Sequence, residues 1–220
     1  MKRSLYIALM GLIILANTGC GGGVSTPPTS TFTASIPSDS AYDGDIQLTT
    51  TNSYIVTQGM SPTVQSVFVG IGPISGTESR AFLDFPLGGA KGIPANAIID
   101  SAWLDVYIKS ILPTSGSIPV MIDLVTFQPP TLRNTDYDRN SLLSLGYTKI
   151  SPNISQADVG KNVSVDVTTL MMEAQRRRFT DFQVRIMEDL GVNVPVLFEI
   201  DDTTGNGRQA RAPLLRVTYH

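Results

Sequence analysis

The chain is poor in the residues that most often carry covalent chemistry: it holds one cysteine, one histidine and one tryptophan, and charged residues make up only 16%. The histidine is His220, the last residue, where chain ends are ordinarily frayed and solvated. No Ser-His-Asp or Cys-His arrangement can therefore be assembled, and no histidine-based zinc site. One cysteine excludes an internal disulfide, so stability has to come from a buried core, and the chain is long enough to build one. Basic residues are also scarce: the formal charge is −3, and loss of Lys2 and Arg3 with an N-terminal leader makes the remainder more acidic still. That excludes a basic field of the kind that draws in nucleic acid.

What is present at the N-terminus is ordered. Met1-Lys2-Arg3 precedes an apolar run from Leu5 to Ala16, followed by Asn17-Thr18-Gly19-Cys20. This is the succession of a secretory leader, and the run is shorter than the roughly 20 residues of a spanning helix. A lone cysteine after a small residue resembles the lipobox of bacterial lipoproteins, in which diacylglycerol is attached to the thiol and cleavage leaves cysteine first. Gly19 and Thr18 suit it, whereas Asn17 stands where an aliphatic residue is usual. The resemblance implies a signal peptide over 1–19, lipidation of Cys20 and a membrane partner reached through the lipid anchor. The outer membrane is favoured over the inner, because Gly21 replaces the aspartate associated with inner-membrane retention. An ordinary secretory leader with an incidental cysteine is the alternative. Residues 20–38, rich in Gly, Ser, Thr and Pro, read as a disordered tether.

From residue 39 to 220 the dominant pattern is alternation with period two, the pattern of half-buried strands. Ala81, Leu83 and Phe85 share one face opposite Arg80, Phe82 and Asp84; Ala102, Leu104, Val106 and Ile108 share one opposite Trp103, Asp105 and Tyr107. Val120, Ile122 and Leu124 alternate likewise, as do Val163 to Val167, Val196 to Ile200 and Leu215 to Tyr219. Turn-forming clusters such as Gly88-Gly89, Pro113-Thr114-Ser115-Gly116 and Gly205-Asn206-Gly207 separate these runs. The prediction is an all-β, antiparallel, jelly-roll-like sandwich. One short crossover helix is expected from an N-cap at Thr168 through Arg176-Arg177-Arg178, whose cations oppose the helix dipole.

Four segments then carry a family resemblance: Ser79–Leu87, Ile98–Tyr107, Val165–Leu170 and Arg211–Tyr219. In order and spacing they resemble the DNRLRE domain, which overlaps carbohydrate-binding module family 96. The resemblance runs from about Ser38 to the C-terminus and implies a secreted, jelly-roll-like module that binds polysaccharide.

Trp103, Asp105 and Tyr107 are the candidate ligand-binding residues, with Phe82, Asp84 and Asp123 placed beside them on neighbouring strands. An aromatic plane stacks on the C–H face of a sugar while a carboxylate accepts its hydroxyl hydrogen bonds. The competing reading is a second face covered by a loop or helix, with Trp103 packed beneath it. Asp84, Asp105, Asp123 and Glu199 also supply carboxylates of the kind a glycosidase pairs, but none sits in a local context that raises its pKa. Asp201, Asp202 and Asn206 are candidate ligands for a structural calcium, against a plain hairpin turn at Asn206-Gly207. The expectation is a non-catalytic cell-envelope lipoprotein that binds a polysaccharide or matrix glycan, with a structural or protein-interaction lipoprotein as the alternative and a polysaccharide-cleaving enzyme behind both.

Overall fold

The structure, a computed structural model, describes residues 30–89, 92–127, 130–191 and 193–220. The leader, Cys20 and the tether up to residue 29 lie outside the described residues. Among the described residues, no helix is long and apolar enough to cross a membrane.

The domain is an antiparallel, all-β sandwich. Its strands are β1 (Phe32–Pro37), β2 (Gly44–Leu48), β3 (Tyr54–Gln58), β4 (Ser66–Ile71), β5 (Glu78–Pro86), β6 (Ile99–Leu112), β7 (Ser117–Ile118), β8 (Val120–Val125), β9 (Gly146–Lys149), β10 (Ile154–Ser155), β11 (Lys161–Asp166), β12 (Asp181–Glu188), β13 (Leu197–Asp201) and β14 (Leu214–Tyr219). Helix α1 (Thr168–Arg176) links β11 to β12, and a single helical turn, α2 (Arg208–Arg211), lies between β13 and β14.

The central element is β6. Along one edge it pairs with β11, from Val165 opposite Leu104 to Lys161 opposite Ile108. Along the other it pairs with two strands in succession, Ile200 of β13 opposite Ile108 and Leu214 of β14 opposite Asp105. β13 and β14 are thus one interrupted strand, and residues 202–213 loop out between its halves. The sheet curls through β4, β5 and β12 to β8 and β9, so that the inward faces meet. Leu83, Phe85, Leu104, Val106, Ile122, Val184, Phe198 and Val217 fill the space between them, closed at one side by Leu170, Met171 and Ala174 of α1.

Two expected boundaries move. Residues 32–37, assigned by composition to the tether, form β1 against β14, because Ala34 and Ile36 alternate inward between serine and threonine. Thr168 is the first helical residue, and Val167 before it makes no side-chain cap. Asp166 Oδ1 supplies the acceptor instead, for the Thr168 N–H at 2.9 Å and its hydroxyl at 2.6 Å. Those bonds hold the Asp166 carboxyl below its ordinary pKa. The Thr168 hydroxyl in turn accepts the Ala102 N–H at 2.9 Å, which ties the helix to β6.

A second apolar cluster lies on the opposite side of β2, β5 and β8: Ile46, Phe82, Val125 and Phe127 packed under Leu132, Tyr137 and Leu142. The segment from Leu132 to Leu142 covers that face, clasped by arginines. Arg80 donates to the Tyr137 carbonyl at 2.6 Å and stacks on its ring at 3.9 Å, and Arg185 donates to the Asp136 carbonyl at 3.1 Å.

Candidate functional site

The cover decides which outward residues remain available. Phe82 is fully buried and Asp84 is 2% exposed, so neither shares an open face with Trp103. The alternation that set both opposite Ala81, Leu83 and Phe85 is kept; the assumption that the opposite face meets water fails there. The Asp84 carboxylate accepts from Gln183 Nε2 at 2.7 Å, and burial raises its pKa to about 6. Asp123 is likewise buried, against Arg185 at 2.8 Å and Arg139 at 3.0 Å.

Among the described residues, no segment covers the outward face of β6 in this way. Trp103 is 40% exposed and Asp105 and Tyr107 are half-buried, all three on one face by the two-residue repeat. Across β11 they oppose Asp166, Ser164 and Asn162; across β14, Arg216 opposes Trp103 and Leu214 opposes Asp105, with Ser35 and Pro37 of β1 next in line. Asp105 is held by a two-pronged pair with Arg216, Nε to Oδ2 at 2.6 Å and Nη2 to Oδ1 at 2.9 Å, and by the Ser164 hydroxyl. A carboxylate fixed in this way presents oriented acceptors without a large net field. The Arg211 guanidinium stands 5.4 Å from the Tyr107 ring centroid.

Beside this strip, the excursion between β13 and β14 walls a groove of about 660 Å³. Asp105, Asn162, Ser35, Arg208 and Gln209 line it with Pro37 and Leu214. Trp103 and Tyr107 are spaced by about 13 Å along the strand, so an extended chain can meet both. A hollow of about 680 Å³ between α1 and residues 87–88 and 93–96 is mostly apolar, lined by Leu87, Ile93, Met171 and Phe179. Of the two arginines at its rim, Arg176 is paired with Glu173 at 2.7 Å, and Gln175, which also lines it, donates to the Ala97 carbonyl at 2.8 Å.

The remaining candidates separate. Glu199 lies in another depression, bonded to Lys109 at 2.8 Å and Ser110 at 2.9 Å, and these partners keep its pKa low against the opposing effect of burial. Asp201 and Asp202 are buried and Asn206 is exposed. Arg208 meets Asp202 Oδ1 at 2.6 Å, and Asp201 Oδ1 accepts from the Thr203 N–H at 3.0 Å. Among the described residues no three acidic, histidine or cysteine side chains gather as metal ligands. Nor is Asn206-Gly207 a hairpin turn: it leads into α2, because β13 and β14 both pair with β6 instead of each other.

Sequence reasoning missed Arg216, Arg211, Asn162 and Ser164. Arg216, Asn162 and Ser164 are placed by the register of β11 and β14 against β6, and Arg211 by the excursion between β13 and β14, neither of which a single strand pattern carries. Compared with known proteins, the chain matches no protein-family model and no curated sequence.

Proposed function

We propose that the protein is a non-catalytic cell-envelope lipoprotein whose sandwich binds an extended polysaccharide across β6. The observation that carries this reading is the strip Trp103, Asp105 and Tyr107 beside a groove of mixed polar and apolar lining. Trp103 and Tyr107 stack on sugar rings, the Asp105–Arg216 pair exchanges hydrogen bonds with hydroxyls, and Asn162 and Gln209 extend the polar contacts into the groove. The leader and Cys20 anchor the domain to the membrane, and the DNRLRE-like order of motifs supports the same assignment.

Trp103 is the only tryptophan, so its fluorescence reports occupancy directly. Binding is expected to change its intensity in a saturable way with one member of a polysaccharide panel. Trp103→Ala or Tyr107→Ala should weaken retention on that polymer by about 10- to 30-fold, the equivalent of about 1.4–2 kcal/mol for losing an aromatic anchor. Asp84→Asn, on the covered face, should leave it unchanged. A spectrum indifferent to every polymer, with no retention on any, would remove the proposal; release of reducing ends or unsaturated products, abolished by Asp105→Asn, would replace it with an enzyme.

The anchor has its own measurement. Cys20→Ser is expected to release the protein from the membrane fraction, and the mature N-terminus should carry the mass of a diacylglyceryl cysteine. An unmodified mature mass, or membrane association that survives the substitution, would dismiss the lipid anchor.

A further inference from the structure

Among the described residues, four strands end the sheet, each with a neighbour on one side only: β1, β9, β11 and β3. An open strand edge is a row of unpaired N–H and C=O groups, and proteins blunt such edges with proline, lysine or inward charge. Three of the four are blunted here. β1 ends in Pro37, β9 carries Lys149, and β11 begins at Lys161 and ends at Asp166. β3, Tyr54-Ile55-Val56-Thr57-Gln58, has no charge, no proline and no glycine, and no Asp, Glu, Lys or Arg occurs anywhere from Ile46 to Thr77.

The backbone phase of this edge follows from the hairpin. Thr49 N–H donates to the Ser53 carbonyl and Gly59 N–H to the Asp43 carbonyl, both at 2.9 Å, and β2 and β3 are in unbroken register between them. Ile55 and Thr57 therefore direct their backbone groups toward β2, and Tyr54, Val56 and Gln58 direct theirs to the open side. Among the described residues, no backbone group accepts from or donates to Tyr54 or Val56 on that side. Their side chains are exposed too: Tyr54 41%, Ile55 51% and Val56 38%.

We propose that β3 is a self-association edge, at which a second copy of this chain pairs β3 to β3 antiparallel about a two-fold axis through Val56. In that register Val56 faces Val56 of the partner and Tyr54 faces Gln58 of the partner. All three outward-directed residues then find hydrogen-bonding counterparts, about six backbone bonds in all. An isologous contact sets every residue near the axis against its own copy or a close neighbour, so a single charge there would meet its like. The absence of charge in this segment is the composition such pairing requires, and the feature that separates β3 from the three guarded edges. The β6 strip belongs to other strands, so both surfaces can act in one molecule.

The test uses the full chain dispersed in non-ionic detergent, with its mass read by sedimentation at matched detergent density. The expected result is a dimer. Ile55→Lys should give a monomer with an unchanged circular dichroism spectrum, because the side chain replaced is exposed. Val56→Cys should form a disulfide-linked dimer on mild oxidation, lost on addition of Ile55→Lys, with Cys20→Ala in both to remove the native thiol. A monomer at every concentration overturns the proposal. So does a dimer that survives Ile55→Lys or forms no Val56→Cys cross-link, since association then runs through another surface. Should Ile55→Lys unfold the domain, the cross-link at Val56→Cys decides alone.

Discussion

Asp123→Ala is expected to remove about 3–5 kcal/mol of folding free energy, a large share of the roughly 5–15 kcal/mol that holds a domain of this size. Asp123 and Arg185 are both fully buried, 2.8 Å apart between β8, β12 and the covering segment. Asp123 also accepts from Arg139 at 3.0 Å and from the Ser144 hydroxyl at 2.9 Å. Removing the carboxylate leaves the buried Arg185 guanidinium without a counter-charge, with only the Asp136 carbonyl as partner and Arg80 and Arg139 nearby, and frees Arg139 and with it the hold on residues 132–144. The reverse substitution is milder, because Arg185→Met leaves Asp123 with Arg139 and Ser144. Adding Arg185→Met to Asp123→Ala should therefore recover part of the loss, since the unpaired charge and not the missing attraction dominates. Urea unfolding of the three variants reads this directly. A loss below about 1 kcal/mol for Asp123→Ala would mean that water solvates Arg185 at no great penalty. Polysaccharide affinity of the folded fraction should be unchanged, since β6 lies outside this cluster.

The same cluster explains where sequence and structure part. Alternation placed Ala81, Leu83, Phe85, Leu104, Val106, Ile122 and Leu124 inward, and all are buried. Period two gives the side of the sheet, and one side of this sandwich is the core throughout. It says nothing about what covers the other side. Arg80, Phe82, Asp84, Asp123 and Arg185 carry the mixed polar pattern of a solvated face, and they are covered because arginine hydrogen bonds fasten a later segment over Phe82 and Phe127. An arginine far along the chain gives no local sign that its partner is a backbone carbonyl. β1 was hidden for a related reason: only Ala34 and Ile36 point inward, between Ser and Thr, which is too little apolar character to stand out from the tether. Trp103, Asp105 and Tyr107 were legible as a group because one strand supplies all three. Arg216, Asn162 and Ser164 come from strands whose register only the fold defines. The turn chemistry of Gly205-Asn206-Gly207 was real, but a hairpin requires its flanking strands to pair with each other, and a long β6 draws both to itself.

Asp43→Asn should flatten the fall of stability with rising pH above the ordinary carboxylate range. Asp43 and Asp202 are fully buried and their carboxyl groups face each other. Asp43 Oδ1 accepts the Asp84 N–H at 2.8 Å and Asp202 Oδ1 accepts from Arg208 at 2.6 Å, while Oδ2 of each has no partner. One carboxyl hydrogen between those oxygens satisfies both, and Arg208 balances the single remaining charge. Burial first, and the neighbouring Asp202 second, push the Asp43 pKa well above its ordinary value; the Ser38 hydroxyl and the Asp84 amide oppose this only in part. A carboxyl whose folded pKa is raised contributes stability fully below its unfolded pKa, and that contribution is lost as pH rises toward the folded value. Asp45 and Asp84, each raised to about 6 chiefly by burial, act in the window from about 4 to 6, on the order of 3 kcal/mol apiece. Asp166, Asp189 and Glu199, whose pKa values are lowered, oppose them and withdraw stability in more acid solution. The domain should accordingly be most stable in mild acid. Asp43 adds to this fall: it too takes up a proton on folding above its unfolded pKa, and on its account stability drops by up to about 1.4 kcal/mol per pH unit until it ionises in the folded protein. An asparagine amide donates to Asp202 in place of the carboxyl hydrogen and takes up no proton. Urea midpoints measured from pH 4 to 8 should thus fall less steeply with rising pH for Asp43→Asn than for wild type. Parallel curves would place the shared proton elsewhere, and a variant less stable at every pH would mean that the amide does not fit between Asp202 and the Asp84 N–H.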